Sequence, residues 1–277
     1  MSGGPTCGIV YIAFGETYRA EASRSIASVR RHSPGLPAAV IGDVAFEGEP
    51  QPDFFVQRPL NLTYGSKMEY LFEGTPFDRT LFLDTDTVLA RDVTPIFDLL
   101  DGYEFGLRFS GPECDEGLAP RFHPYAHSAA LLFSRTPGAR EIFAEWKRSY
   151  DEALAIYRGG SPHGPSGDRL LAPVIAKSAA RVVSLPSHVL WNAVEPEVLF
   201  SPPVICHGRL PRSEQHAAVL DAVWRGRKAC EPLQRVWLPN IRGLLPSGLR
   251  RSDPFLAVSL VLQRMVNAWR VRKRGAR

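Results

Sequence analysis

Close cysteine pairs are missing from this chain. Its four cysteines, Cys7, Cys114, Cys206 and Cys230, are scattered over 277 residues with no C-x-x-C spacing. That spacing excludes a zinc-ribbon or dithiol reading and favours free thiols in a reducing, cytoplasmic compartment. An uninterrupted apolar run long enough to span a bilayer is also missing. Met1 to Thr6 has no basic stretch and only a short apolar run follows it, so a signal peptide is not expected. A glycine-rich phosphate loop is absent as well: Phe14-Gly15-Glu16 is too thin for one, which argues against a nucleotidyltransferase. No nucleic-acid-binding module is visible, and the net charge of +4 is mild.

What is present is a centre. Thr80-Leu81-Phe82-Leu83 is a run typical of a buried strand, and it leads directly into Asp84-Thr85-Asp86. In an extended chain the side chains at i and i+2 point the same way. Asp84 and Asp86 are therefore expected to face one point at the carboxyl end of that strand, where open α/β sheets bind ligands. Two adjacent carboxylates repel each other, and a divalent cation such as Mn²⁺ or Mg²⁺ relieves the repulsion. The same residues also read as a strand end followed by a solvated turn.

The flanking pattern is α/β. Gly8 to Phe14 reads as a first strand, a helix follows to about His32, and Ala38 to Asp43 reads as a second strand, together a right-handed βαβ start. Asp53 to Val56 is a short third strand. Lys67 to Phe72 is a short helix, and Lys67 near its start runs against the dipole preference unless it faces a phosphate or sugar oxygen. Phe105–Phe109 and Ser128–Ser134 read as strands around a Gly/Pro-rich loop. Thr136 to Ala155 is an amphipathic helix with Ile142, Phe143, Trp146 and Tyr150 on its core face. Arg158 to Gly167 reads as a flexible linker or lid, and Asp168 as the N-cap of the next helix. Val204 to His207 is a strand that ends in a histidine.

In this order the motifs resemble those of GT-A glycosyltransferases, closest to family 8, the glycogenin and bacterial galactosyltransferase group. The resemblance covers about three-quarters of the chain as a scattered series of motifs, ending near Gln215. It implies a GT-A-like α/β fold with a mostly parallel mixed sheet. It implies transfer of a sugar, with retention, from a nucleotide diphosphate sugar of the UDP type to an acceptor: a saccharide, a lipid-linked molecule or a small molecule. Within it Asp84, Asp86 and His207 would hold the metal, and Lys67 would hold the sugar or diphosphate. Tyr18 would pack on the nucleobase, and backbone around Ala13 and Phe14 would meet the base and ribose. Gly15 replaces the family's acidic residue, leaving Glu16 or Asp43 for the ribose. Asp168 would lie near the reacting sugar, followed by Arg169 where the family often has Gln. His127-Ser128-Ala129 stands where the family has Asn-Ser-Gly, so His127 either touches a substrate or only starts a strand. Leu185 to Asn192 matches an L-P-x-x-x-N stretch, with Trp191 and Asn192 read as structural. The family's Gly-x-x-Lys-Pro-Trp tail is absent, and Arg209 or Arg212 would take the place of its lysine.

Two rival classes stay open at this level. Asp84-Thr85-Asp86-Thr87-Val88 also fits the D-x-D-x-T/V loop of haloacid-dehalogenase-type phosphatases, with Asp84 as nucleophile and Asp86 as acid/base. A non-catalytic, membrane-associated binding protein is the other. The division expected is a nucleotide-sugar-binding domain over 1–214 and a helical extension over 215–277. In the extension, residues 216–229 read as a helix and 232–246 as irregular. An apolar helix from Pro254 then runs into Arg264, Arg270, Arg272, Lys273, Arg274 and Arg277. Such a helix suits either peripheral contact with the anionic inner face of a membrane or packing on the domain.

Overall fold

A computed structural model describes residues 6–110, 124–159, 161–192 and 203–208, together with the backbone of three further strands at 197–199, 235–238 and 243–246. Arg209, Arg212, Cys114, Cys230, the helix expected over 216–229 and the basic apolar helix from Pro254 lie outside the described residues.

The frame is a seven-stranded sheet. In chain order its strands are β1 (Cys7–Ile12), β2 (Ala38–Gly42), β3 (Phe54–Gln57), β4 (Arg79–Leu83), β6 (Phe105–Ser110), β7 (Tyr125–Ser134) and β8 (Val182–Ser184). Their spatial order is β3-β2-β1-β4-β7-β6-β8. The β3, β2, β1 and β4 strands run parallel, β6 and β8 pair in parallel, and β7 is antiparallel to both neighbours. This is the mostly parallel mixed sheet that the sequence implies. Two of the crossovers in its parallel half carry helices: α1 (Glu16–His32) between β1 and β2, and α2 (Gly65–Gly74) between β3 and β4. Helices α3 (Pro137–Ile156) and α4 (Asp168–Lys177) follow β7, and a 3-10 helix covers Thr94–Asp101.

Both faces of the sheet are buried, and strand alternation divides the side chains between them. Ile9, Tyr11, Leu81 and Leu83 pack with Ala22, Ile26 and Val29 of α1. Val10 and Phe82, one residue out of phase, pack with Leu71 of α2 and with Ile142, Phe143 and Trp146 of α3. The second face is rich in aromatic contacts: Phe133 and Phe143 lie 5.0 Å apart edge to face, and Phe143 also meets Phe72, Phe105 and Trp146. Thr136 starts α3, its hydroxyl accepting from the Ala139 N–H.

A second, three-stranded sheet decides the geometry of the site. Strand β5 (Thr87–Leu89) pairs antiparallel with β11 (Ile205–His207), which pairs in parallel with β9 (Leu190–Asn192). The sequence did not mark β5 or β9 as strands, because three residues are too short for a legible period. Trp191 and Asn192 are buried in β9, as read. The third sheet is β10 (Glu197–Leu199), β12 (Arg235–Leu238) and β13 (Gly243–Pro246). The irregular stretch expected over 232–246 therefore contains two antiparallel strands, and β12 pairs with β10 across the expected boundary at 214. Among the described residues no helix is long and apolar enough to cross a membrane.

Candidate active site

Strand β4 ends at Leu83, and the two aspartates sit just past it on a turn. The turn is tied from beneath. The Asp84 N–H donates to the Ala129 carbonyl on β7 at 2.9 Å, and the Asp84 carbonyl accepts from the Thr87 N–H at 3.1 Å and hydroxyl at 2.7 Å. Thr85, the residue between the aspartates, points the other way and donates to the buried Glu21 carboxylate of α1 at 2.8 Å. A buried hydroxyl chain, Tyr11 to Ser25 to Thr87, runs alongside at 2.9 and 3.2 Å. The turn thus presents the Asp84 and Asp86 carboxylates to His207 while the Thr85 hydroxyl turns to Glu21.

Register then delivers the histidine. His207 of β11 lies opposite Thr87 of β5, one residue past Asp86. The His207 Nε2 is 3.4 Å from Asp86 Oδ1 and 3.9 Å from Asp84 Oδ2. One ligand atom from each of Asp84, Asp86 and His207 lies within 4.8 Å of the others. Two carboxylates and one imidazole make a hard, mostly oxygen donor set that suits Mn²⁺ or Mg²⁺. Burial pulls the His207 pKa down, but Asp86 and Asp84 outweigh it and hold it above the ordinary histidine value. Burial is also the largest influence on Asp84 and leaves its pKa raised, although Lys67 and His207 pull the other way.

Lys67 reaches the same place from α2. Its Nζ is 2.7 Å from Asp84 Oδ1 and 3.0 Å from the Ser128 hydroxyl, and it lies over the Phe82 ring at 5.3 Å. Burial disfavours the ammonium, but Asp84, Asp168 and Asp86 outweigh burial, so its pKa stays above the usual lysine value. In this structure the lysine is held by protein oxygens at the position where a phosphate or sugar oxygen was expected.

Asp168 is the first residue of α4, and the cap position belongs to Gly167. The N-cap expectation is corrected here, because no helix N–H bonds to an end side chain. The Asp168 carboxylate accepts instead from the Tyr125 hydroxyl at 2.9 Å and from the Ser128 hydroxyl. Ser128 therefore bridges Lys67 and Asp168. A break in β-pairing aims it there: opposite Leu107 and Arg108 the register on β7 jumps from Leu131 to His127, which leaves Ser128, Ala129 and Ala130 out of step with β6. From sequence alone His127 stands out in this segment, while Ser128 and Tyr125 carry no signal of their own. His127 is buried, and burial and Arg108 push its pKa down to about 4. The usable signal was the i, i+2 spacing of Tyr125 and His127, which marks a strand beginning before Ser128.

These groups open on a cavity of about 360 Å³. Asp84, Asp86, His207, Lys67, Asp168 and Tyr125 line one part of it; Phe14 and Tyr18 line it near the amino end of α1. Ala13 does not line it: the residue is fully buried, and its N–H donates to the Ile41 carbonyl at 2.9 Å. Gly15, where the resemblance has an acidic residue, adopts φ 83°, a conformation side chains rarely take. Asp43 accepts from Arg19 at 3.4 Å.

The rest of the lining consists of Asn61, Leu62, Thr63, Tyr64 and Ser66 with His163 and Ser166. The segment read as a flexible linker is tied down. Tyr64 N–H and the Tyr150 hydroxyl both donate to the His163 carbonyl, and the Trp146 indole donates to the Gly167 carbonyl at 2.9 Å. Composition could not show this, because the bonds come from residues far away in sequence.

No family model and no curated protein matches the chain. Among solved structures, the glycosyltransferase GlyE of Streptococcus pneumoniae TIGR4 superposes with a TM-score of 0.53 at 13% identity, over 80% of this chain and 64% of that one. The chain has the fold of GT-A glycosyltransferases. It spans less than two thirds of the length of GlyE. The galactosyltransferase LgtC, solved with donor and acceptor sugar analogues, gives a TM-score of 0.49 at 16% identity, over 79% of this chain and 99% of that one. Within the GT-A fold, the cluster of Asp84, Asp86 and His207 stands at the carboxyl end of a central strand, where α/β folds bind ligands.

Proposed function

We propose that the chain is a metal-dependent glycosyltransferase that moves a sugar from a nucleoside diphosphate sugar, of the UDP class, to an acceptor hydroxyl. One observation carries the reading: the D-x-D carboxylates, a histidine brought in by strand pairing and a buried lysine converge on one cavity of a GT-A fold. In the reaction the bond from the anomeric carbon to the β-phosphate oxygen breaks, and its electron pair leaves with the nucleoside diphosphate. The acceptor oxygen bonds to the anomeric carbon, and its proton passes to the departing diphosphate.

Asp84, Asp86 and His207 would hold Mn²⁺ or Mg²⁺. When bound, that ion supplies positive charge to the departing diphosphate. The chain's own residues do the rest. Phe14 and Tyr18 form the base end of the cavity, and the backbone near Ala13 fixes the strand beneath them. Lys67 holds Asp84 in place through its ion pair and adds its charge beside the diphosphate. Asp168, held by two hydroxyls, is the carboxylate nearest the sugar, suited to orienting its hydroxyls. Retention at the anomeric carbon follows from the family 8 resemblance.

Calorimetric titration of the purified chain with UDP, GDP and ADP, first with Mn²⁺ and then with EDTA, tests the reading. The expectation is metal-dependent binding of UDP. Metal-independent binding, or none, would remove the donor site from the account.

A further inference from the structure

Resting on the donor reading above, we infer that His163 and the Asn61–Ser66 loop form the acceptor-binding wall, with His163 Nε2 taking a hydrogen bond from a hydroxyl of a sugar-ring acceptor. The argument starts from a tautomer. His163 Nδ1 lies 2.7 Å from the Leu62 carbonyl oxygen. A carbonyl only accepts, so Nδ1 carries the proton, and in the neutral ring Nε2 is left as an acceptor. A hydroxyl with a proton to give is its complement.

The ring is fixed as a binding group should be. Its carbonyl receives the Tyr64 N–H at 3.1 Å and the Tyr150 hydroxyl at 3.0 Å. The turn that carries it is closed by Gly164 N–H to the Ser161 carbonyl at 3.2 Å, with Gly164 at φ 79°. A Cβ at Gly164 would lie 2.5 Å from the Tyr150 hydroxyl, so only glycine fits there. Beside the ring, Tyr64 meets His163 edge to face at 6.0 Å and remains 43% exposed, and Leu62 is 48% exposed. An acceptor nitrogen next to an open aromatic and aliphatic surface suits a molecule with hydroxyls and an apolar C–H face, which is the chemistry of a sugar ring. The wall stands in the same cavity as the metal-ligand cluster, so an acceptor seated there shares the space of the donor sugar.

Two variants separate binding from structure. An asparagine amide overlays Nδ1 but not Nε2, so His163→Asn keeps the bond to Leu62 and removes the acceptor; His163→Ala removes both. The assay is UDP release from UDP-galactose and UDP-glucose with Mn²⁺, in water and with panels of methyl and octyl glycosides. Calorimetry of Mn²⁺–UDP binding and urea unfolding run alongside. The wild type is expected to be accelerated by at least one methyl glycoside. In His163→Asn that acceleration should fall about tenfold through a raised KM for the glycoside, with the UDP affinity and unfolding midpoint at wild-type values. Acceleration of His163→Asn equal to wild type would overturn the inference, because the Leu62 bond alone would then explain the residue. Acceleration by octyl members only, or by none while Mn²⁺–UDP binds, would overturn the sugar-ring acceptor. Failure of the wild type to bind Mn²⁺–UDP would strike the donor reading itself, and this inference with it.

Discussion

The two walls of the cavity are built in opposite ways. On the metal side strands fix most of the positions: Asp84 and Asp86 follow the end of β4, His207 is set by its register against β5 and Ser128 by the break in β7, while Lys67 and Asp168 come from near the starts of α2 and α4. On the other side Leu62, Tyr64 and His163 stand on two loops that bond to each other and to α3. Strands fix positions through periodic backbone bonds, so chemistry that needs several ligand atoms within a few ångströms belongs there. Loops held by a few specific bonds tolerate change, so the wall that selects a partner belongs on them.

The largest effect should come from breaking the strand-built wall. Asp86→Ala is expected to lower Mn²⁺-dependent UDP affinity by about 100-fold or more, since it removes a ligand as well as a partner of His207. Calorimetry checks this, and UDP affinity within a few-fold of wild type would contradict it. Next, Trp146→Ala should cost about 3–5 kcal/mol in urea unfolding, because it empties a fully buried site and frees the Gly167 carbonyl. Trp146→Phe sharpens the point: it keeps most of the bulk, loses the bond to Gly167, and should raise the proteolytic sensitivity of 158–167 far more than that of the β4–β5 turn. Ser128→Ala is expected to lower turnover about tenfold with little change in Mn²⁺–UDP affinity, because it uncouples Lys67 from Asp168 while leaving the ligand cluster intact. An unchanged rate would mean that the bridge is only structural.

The smallest effect concerns the frame behind the metal wall. Asp92 accepts from the Ser33 hydroxyl, the Thr94 hydroxyl and the Thr94 N–H, and these bonds hold its pKa below the usual carboxylate value of 3.8. A lowered folded-state pKa gives stability that is present above the unfolded value and lost as pH falls through the folded one. Asp92→Asn should therefore lower stability modestly at neutral pH, and the difference from wild type should shrink as pH falls below 3.8 and through the lowered folded-state value. Urea unfolding across that range is the check.

The same contrast explains what could be read in advance. The central strand, its two aspartates and the helix with Lys67 were legible because apolar runs and i, i+2 spacing have physical meaning in a single segment. The fold class followed from the alternation of strands and helices, and the GT-A superposition agrees with it. Against that fold the phosphatase reading of the D-x-D-x-T/V run has no structural support. What stayed hidden needed pairing between distant segments. Strand β5 has three residues and exists because β11 lies beside it. Asp168 looked like a helix cap because it opens the Asp168-Arg169-Leu170-Leu171 run just after a Gly/Pro-rich stretch; the two hydroxyls that claim it sit about forty residues upstream. Residues 158–167 looked like a linker from their glycines and prolines, and the tryptophan and tyrosine that tie them lie on α3.

The central claim is that Asp84, Asp86 and His207 form one ion site. Its most direct test is electron paramagnetic resonance of Mn²⁺ titrated into the wild type and into Asp84→Asn, Asp86→Asn and His207→Ala, with UDP present. The account predicts that the wild type quenches the free-ion signal at one equivalent and that each substitution restores it. A signal that all three variants quench as the wild type does would place the ion elsewhere and contradict the account.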